Sequence, residues 1–276
     1  MPQSAPLAVY LHGLNTYGDE LVHIGPLTFG SMSEAWKKKF DEHKIEFIAV
    51  EGIGFDSPIK QAERALAFLL AKNLSHENRP VHLIGHSVGG LCARALSKIW
   101  PTKNGVSSII TFGTPHLGAH VAEQGIDMHL KAPMLHRAFK AVGYDSIERT
   151  SSFLHFTSAE IEKFNAEHPV PKDVSCFSFI CSVPRASLSL PYLLTYKKFH
   201  PAPCQESDGF IYCESQRWCE DRGPYKLDHF AQMGVHLHLR AGDRQRSRDE
   251  FVRLTTDVVE VIKNLNKDRN QPKKNL

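Results

Sequence analysis

Val81-His82-Leu83-Ile84, then Gly85-His86-Ser87-Val88-Gly89-Gly90, then Leu91-Cys92-Ala93-Arg94-Ala95-Leu96 is the stretch on which the fold turns. A short apolar run suited to a buried strand leads into a G-x-S-x-G turn, and a helix-forming run leads out of it. Glycines on either side of the serine let the backbone pass close to its neighbours, while a strained turn lifts the Ser87 hydroxyl off the end of the sheet. A serine presented in this way is a candidate nucleophile.

Outward from this point the same rhythm continues. Leu7 to Leu11, Phe47 to Val50, Val81 to Ile84 and Ser108 to Phe112 are predicted strands. Between them lie helical stretches at Ser33 to Phe40, with Ala35, Trp36 and Phe40 on one face, and Lys60 to Lys72, with Ala62, Leu66, Leu69 and Leu70 on one face. Strands alternating with helices predict an α/β fold with a mostly parallel, doubly wound sheet, whose reactive groups gather at the carboxyl ends of its strands. Both Ser87 and the His12-Gly13 turn sit at such ends.

Residues 119–200 break the rhythm and predict a cap or lid insertion in a single domain spanning 1–276. Inside it, a helix is expected over Ser158 to Glu167 and a core strand over Val174 to Ile180. For Leu188-Ser189-Leu190-Pro191-Tyr192-Leu193-Leu194 two roles stay open: a lid resting on lipid or closing over an acyl pocket, and a buried connector. From Asp208 the chain is expected to run through loops to a packing helix over Ser247 to Leu265.

Composition narrows the functions. The chain has 276 residues, 42% of them hydrophobic, enough to bury a substantial core. With 33 basic against 30 acidic residues the net charge is only +3, which gives no reason to expect a nucleic-acid partner. The basic cluster of note is the tail from Lys267 with Lys273 and Lys274, read as a frayed polar end. Transient contact with a membrane or micelle surface stays open. No secretory signal is read before Leu7, so cytoplasmic residence is expected unless a leader has been trimmed or another export route is used. Six cysteines form neither a disulfide framework nor a zinc pattern; one bridge among Cys204, Cys213 and Cys219 stays open beside free thiols. Oligomeric state cannot be read.

A serine hydroxyl needs a histidine to take its proton and a carboxylate to hold that histidine. Glu206-Ser207-Asp208-Gly209 and Leu227-Asp228-His229 follow Ser87 in the order nucleophile, acid, base. Asp208 and His229 are therefore the expected acid and base. Asp228 is set aside because neighbouring side chains diverge, and Asp127 and Asp145 remain weaker candidates. His86 is expected beside the pocket rather than as the base. His236 and His238 have a spacing seen in metal sites but no third ligand, so packed or solvated histidines are expected, with no metal and no cofactor. The oxyanion of an acyl-transfer intermediate would be met by the backbone N–H of Val88 and of Leu14, after the first strand.

These pieces resemble the α/β-hydrolases, and bacterial triacylglycerol lipases in particular. The resemblance rests on Leu11-His12-Gly13-Leu14, Gly85 to Gly90, Gly113-Thr114-Pro115-His116-Leu117-Gly118, Thr157-Ser158-Ala159 through Phe164 to Pro169, Ser207-Asp208-Gly209 and Leu227-Asp228-His229. It implies hydrolysis of carboxylic esters of lipid-like or small-molecule substrates through an acyl-enzyme. The Gly113 to His116 stretch is also similar to GPI-inositol deacylases, so an acyltransferase, phospholipase or thioesterase using the same triad is the alternative, with a non-catalytic binding protein behind both. Those lipases often carry a structural calcium with an aspartate two residues after the catalytic histidine. Ala231 stands there in this chain, so calcium is not expected.

Overall fold

The computed structural model describes residues 5–13, 21–24, 27–31, 33–54, 56–74, 79–100, 105–123, 153–189 and 206–270. In chain order the elements are β1 (Leu7–Leu11), β2 (Leu21–Ile24), β3 (Leu27–Ser31), α1 (Glu34–Glu42), β4 (Glu46–Ala49), α2 (Pro58–Ala71), β5 (Val81–His86), α3 (Gly89–Ile99), β6 (Ser108–Phe112), α4 (Ser158–Glu167), β7 (Ser175–Cys181), α5 (Cys213–Gln216), β8 (Glu220–Tyr225) and α6 (Ala241–Asn270).

Six strands form one parallel sheet in the order β4-β1-β5-β6-β7-β8, and β2 pairs with β3 as an antiparallel hairpin. The chain first steps from β1 to β4 on one side, then returns to place β5 on the other. The strand order thus reverses between β1 and β5, and a crevice opens at their carboxyl ends, the position where doubly wound sheets bind ligands.

Every side chain of β1 is buried, because both faces of the sheet are covered. Leu7, Val9 and Leu11 pack with Leu83 and Ile109 against Ala62 and Leu69 of α2 and Leu91 and Leu96 of α3. Ala8 and Tyr10 point the other way and pack with Ile84, Ile110 and Phe112 against Trp36 and Phe40 of α1 and Leu254, Val258 and Ile262 of α6. The alternation follows the two-residue period of a strand. Ser57 caps α2, its hydroxyl accepting from Lys60 N at 3.4 Å ahead of Pro58, and Thr157 caps α4 in the same way.

Several expectations are corrected. The buried face of α2 is Gln61, Ala62, Ala65 and Leu69, with Leu66 partly buried, whereas Leu70 is exposed. The stretch between Asp208 and the last helix is not all loop: Glu220–Tyr225 joins the sheet as its edge strand, although only Tyr225 of the six residues is buried. The last helix starts at Ala241, six residues before the expected Ser247, since its polar first turns need no apolar face. Of the segment 119–200, residues 119–123 and 153–189 belong to the body of the fold and include core strand β7. Leu188 and Ser189 are buried, and Leu190 to Leu194 lie outside the described residues.

Trp36 ties α1 to the region beyond β8. Its ring stacks on Phe112 at 4.9 Å, and its Nε1–H donates to the Gln232 carbonyl at 3.0 Å. Replacing it, Trp36→Phe, keeps most of the packing and strands a buried carbonyl. Chemical denaturation should therefore show a loss of about 1–3 kcal/mol; no change would mean that the bond adds nothing.

Candidate active site

Ser87 follows directly on β5 with φ +56°, a left-handed conformation that side-chain-bearing residues adopt only where the surroundings impose it. Its N–H donates to Phe112 O at 3.0 Å, and its carbonyl accepts from Gly90 N at 3.0 Å. The turn closes only because α3 begins against β1. A Cβ added at Gly89 would lie 2.1 Å from the Leu11 carbonyl oxygen. Val88 is the N-cap of α3, and its N–H has no backbone acceptor among the described residues, leaving a donor at the positive end of the helix dipole. The turn after β1 lies alongside, with a Cβ at Gly13 placed 3.3 Å from Ser87 Oγ. Leu14 lies outside the described residues, as do Asp127 and Asp145.

Asp208 and His229 are joined. His229 Nδ1 donates to Asp208 Oδ2 at 2.8 Å, and His229 N donates to the Asp208 carbonyl at 2.9 Å. Asp208 has no accessible surface. Its Oδ1 accepts from Phe210 N at 2.9 Å and Ile211 N at 2.7 Å, a tight turn that Gly209 completes. Its Oδ2 also accepts from Gln232 Nε2 at 2.8 Å. Gln232 went unnoticed in the sequence. Three residues after His229, it carries no local signal of the carboxylate 24 residues away that it holds.

The space around this pair depends on Gly113, at φ +57° after β6. A Cβ there would stand 2.3 Å from Gln232 Oε1 and 3.0 Å from both Asp208 Oδ2 and His229 Nδ1. That gives the first residue of the Gly113-Thr114-Pro115-His116 stretch a physical reason.

The other singled-out residues take no part in the acid–base hydrogen bond. His86 is buried with its ring 4.6 Å from that of His229 and 5.3 Å from Phe112, and neither nitrogen has a hydrogen-bond partner among the described residues. Burial, then the neighbouring His229, pushes its pKa well below the ordinary histidine value, so it is neutral. Asp228 faces elsewhere. Its carboxylate accepts from Ala231 N and Ser189 N and lies 3.5 Å from His238 Nε2. His236 Nδ1 pairs with Ser247 Oγ at 2.8 Å, and burial pushes it down to about 4. Among the described residues no group of three or more His, Cys, Asp and Glu could hold a metal ion.

Solved structures share this fold along nearly the whole chain. The lipase of Staphylococcus hyicus covers 97% of each chain with a TM-score of 0.69, at 14% identity. The fold is therefore that of the α/β-hydrolases. The family model described as palmitoyl protein thioesterase matches residues 8–160, more than half of the sequence, and the chain belongs to that family. Triacylglycerol lipase 2 of Saccharomyces cerevisiae is 29% identical over 203 residues, 70% of this chain and 59% of the yeast protein. A triacylglycerol lipase of Burkholderia plantarii is 29% identical over 127 residues, 43% of this chain and 35% of its own length. The match thus spans between a third and three fifths of these relatives.

Two outcomes follow. Gly113→Ala should lower turnover about a hundredfold by displacing the acid–base pair, while Gly105→Ala, at φ +68° with open space around it, should keep its turnover. Equal effects would put the cause in backbone strain alone. His86 is held neutral in the folded state and titrates near its ordinary value when unfolded. The unfolded chain therefore binds the extra proton, and stability falls as pH drops below about 6.5. Denaturation of His86→Phe between pH 7 and 5 should show a shallower fall than wild type; an unchanged slope would contradict the assignment.

Proposed function

We propose that the protein is a serine hydrolase that cleaves carboxylic esters of lipid-like substrates through an acyl-enzyme. Ser87 attacks the carbonyl carbon, and His229 Nε2 takes the hydroxyl proton and returns it to the leaving alcohol. Asp208 keeps the imidazole in the tautomer with hydrogen on Nδ1 and stabilises its positive form. The developing oxyanion is met by the Val88 N–H and by that of Leu14 after β1. Water then repeats the cycle on the acyl-serine.

The observation that carries this reading is the 2.8 Å bond between His229 and a buried Asp208, beside a serine at φ +56° on the central crevice. His86 links the two segments, ending β5 directly before Ser87 and lying with its ring 4.6 Å from that of His229. The relatives named as triacylglycerol lipases favour fatty-acyl esters. Leu117 and Leu154 are 52% and 49% exposed, and Leu117 follows the turn that backs His229. They support transient contact with a membrane or micelle surface. A second reading, thioester cleavage by the same residues, is favoured by the match to the palmitoyl protein thioesterase model.

Purified protein and Ser87→Ala should be compared on p-nitrophenyl esters of short and long acids and on palmitoyl thioesters, with and without detergent micelles. Wild type should release p-nitrophenol, and the variant should lose at least about a hundredfold in kcat. Higher kcat/KM on thioesters would move the second reading forward. A folded wild type inactive on both classes would overturn the proposal.

A further inference from the structure

Behind the elbow, Arg94 of α3 is buried, with 3% of its surface exposed, and pairs with no carboxylate among the described residues. Its guanidinium meets the His116 ring at 3.2 Å and the His168 carbonyl, and it lies between the rings of Trp218 at 4.4 Å and Phe164 at 4.9 Å. An imidazole supplies no negative charge, and burial and then Arg94 hold His116 in its neutral form. A buried cation without an anion is costly, so a compensating group is expected nearby.

Two cysteines stand there. The β7–β8 register begins at Phe177 opposite Glu220, so continuing it one step brings Cys176 beside Cys219, and both pack on the same apolar core. Adjacent strands about 4.8 Å apart bring Cα atoms into the roughly 4.4–6.8 Å range that a disulfide spans. Both are free thiols, Cys176 buried and Cys219 half-buried. Ser178 Oγ accepts from Trp218 N at 3.1 Å and lies 3.5 Å from Cys219 Sγ, so its hydroxyl hydrogen is available to that sulfur. The Cys176 S–H donates to the Val174 carbonyl at 3.4 Å. The neighbouring Cys176 first, and then the Ser178 hydroxyl, lower the Cys219 thiol from its ordinary range against the effect of burial, whereas Cys219 and then burial raise Cys176.

We propose that Cys176 and Cys219 form a redox pair in which Cys219 is oxidised first by a hydroperoxide and Cys176 resolves it to a disulfide. The Cys219 thiolate attacks the peroxide, forming an S–O bond as the O–O bond breaks; hydroxide, or alkoxide from an organic peroxide, leaves and takes a proton from water. The Cys176 sulfur then attacks the Cys219 sulfenic acid. An S–S bond forms, the S–O bond breaks, and the departing hydroxide takes the Cys176 proton as water. Two thiols lose two electrons to the peroxide oxygen. This site is independent of Ser87 and of the hydrolytic reading.

Tryptic mapping of the whole protein reads the pair directly, since residues 218–222 carry Cys219 alone and residues 173–185 carry Cys176 with Cys181. The pH profile of iodoacetamide alkylation at Cys219 should have its midpoint below the ordinary value of about 8.5. Stoichiometric hydrogen peroxide should join the two peptides through Cys176 and Cys219, as tandem mass spectrometry can resolve. Cys176→Ser should stop at a sulfenic acid trapped by dimedone, and Cys219→Ser should form no bridge. Ser178→Ala, a mild change, should raise the alkylation midpoint. An ordinary or raised midpoint in wild type, or a peroxide product joining Cys219 to any other cysteine or to none, overturns the proposal.

Discussion

A carboxylate can sit in a protein interior only when its oxygens are met by donors, and Asp208 meets that condition four times over. Two backbone amides from its own turn, one histidine nitrogen and one glutamine amide converge on it. The orientation of His229 follows from this arrangement rather than from any contact of its own with solvent. The supports extend outward. Gln232, which donates to Asp208, is itself held through its carbonyl by Trp36 on α1, so a helix on one face of the sheet steadies the acid at its end. Catalytic groups gain from such second supports because small displacements of a base are costly in rate.

The sheet supplies the rest. Its order reverses between β1 and β5, so the turn after β1 and the serine after β5 are neighbours without any long-range accident. Gly89 allows the start of α3 to touch β1, and Gly113 leaves a hollow that the acid and base fill. At Ser87 the strained backbone positions the nucleophile.

What could be read in the sequence follows from which physics is local. The bounds read from the sequence for β1, a continuous apolar run, for β6, a run rich in β-branched and aromatic residues, and for α4 agree with the structure to the residue, and both strands are buried along their whole length. The elbow and the Asp208-Gly209 turn were legible because their chemistry lies within a few residues. β8 was not legible: Glu-Asp-Arg-Gly-Pro-Tyr has no strand pattern, and pairing with β7 alone makes it a strand. Gln232 and Arg94 were missed for a related reason. Their partners lie 24 residues away for Gln232, and 22 and 74 away for Arg94, so nothing near them in the chain signals what they hold.

The most direct test of the central claim, that Asp208 and His229 activate Ser87, is labelling by a fluorophosphonate followed by mass spectrometry of the intact and digested protein. One adduct should form, on Ser87, and its rate should fall by about a thousandfold or more in a folded His229→Ala variant. An adduct on another residue, or undiminished labelling of Ser87 without His229, would contradict the account.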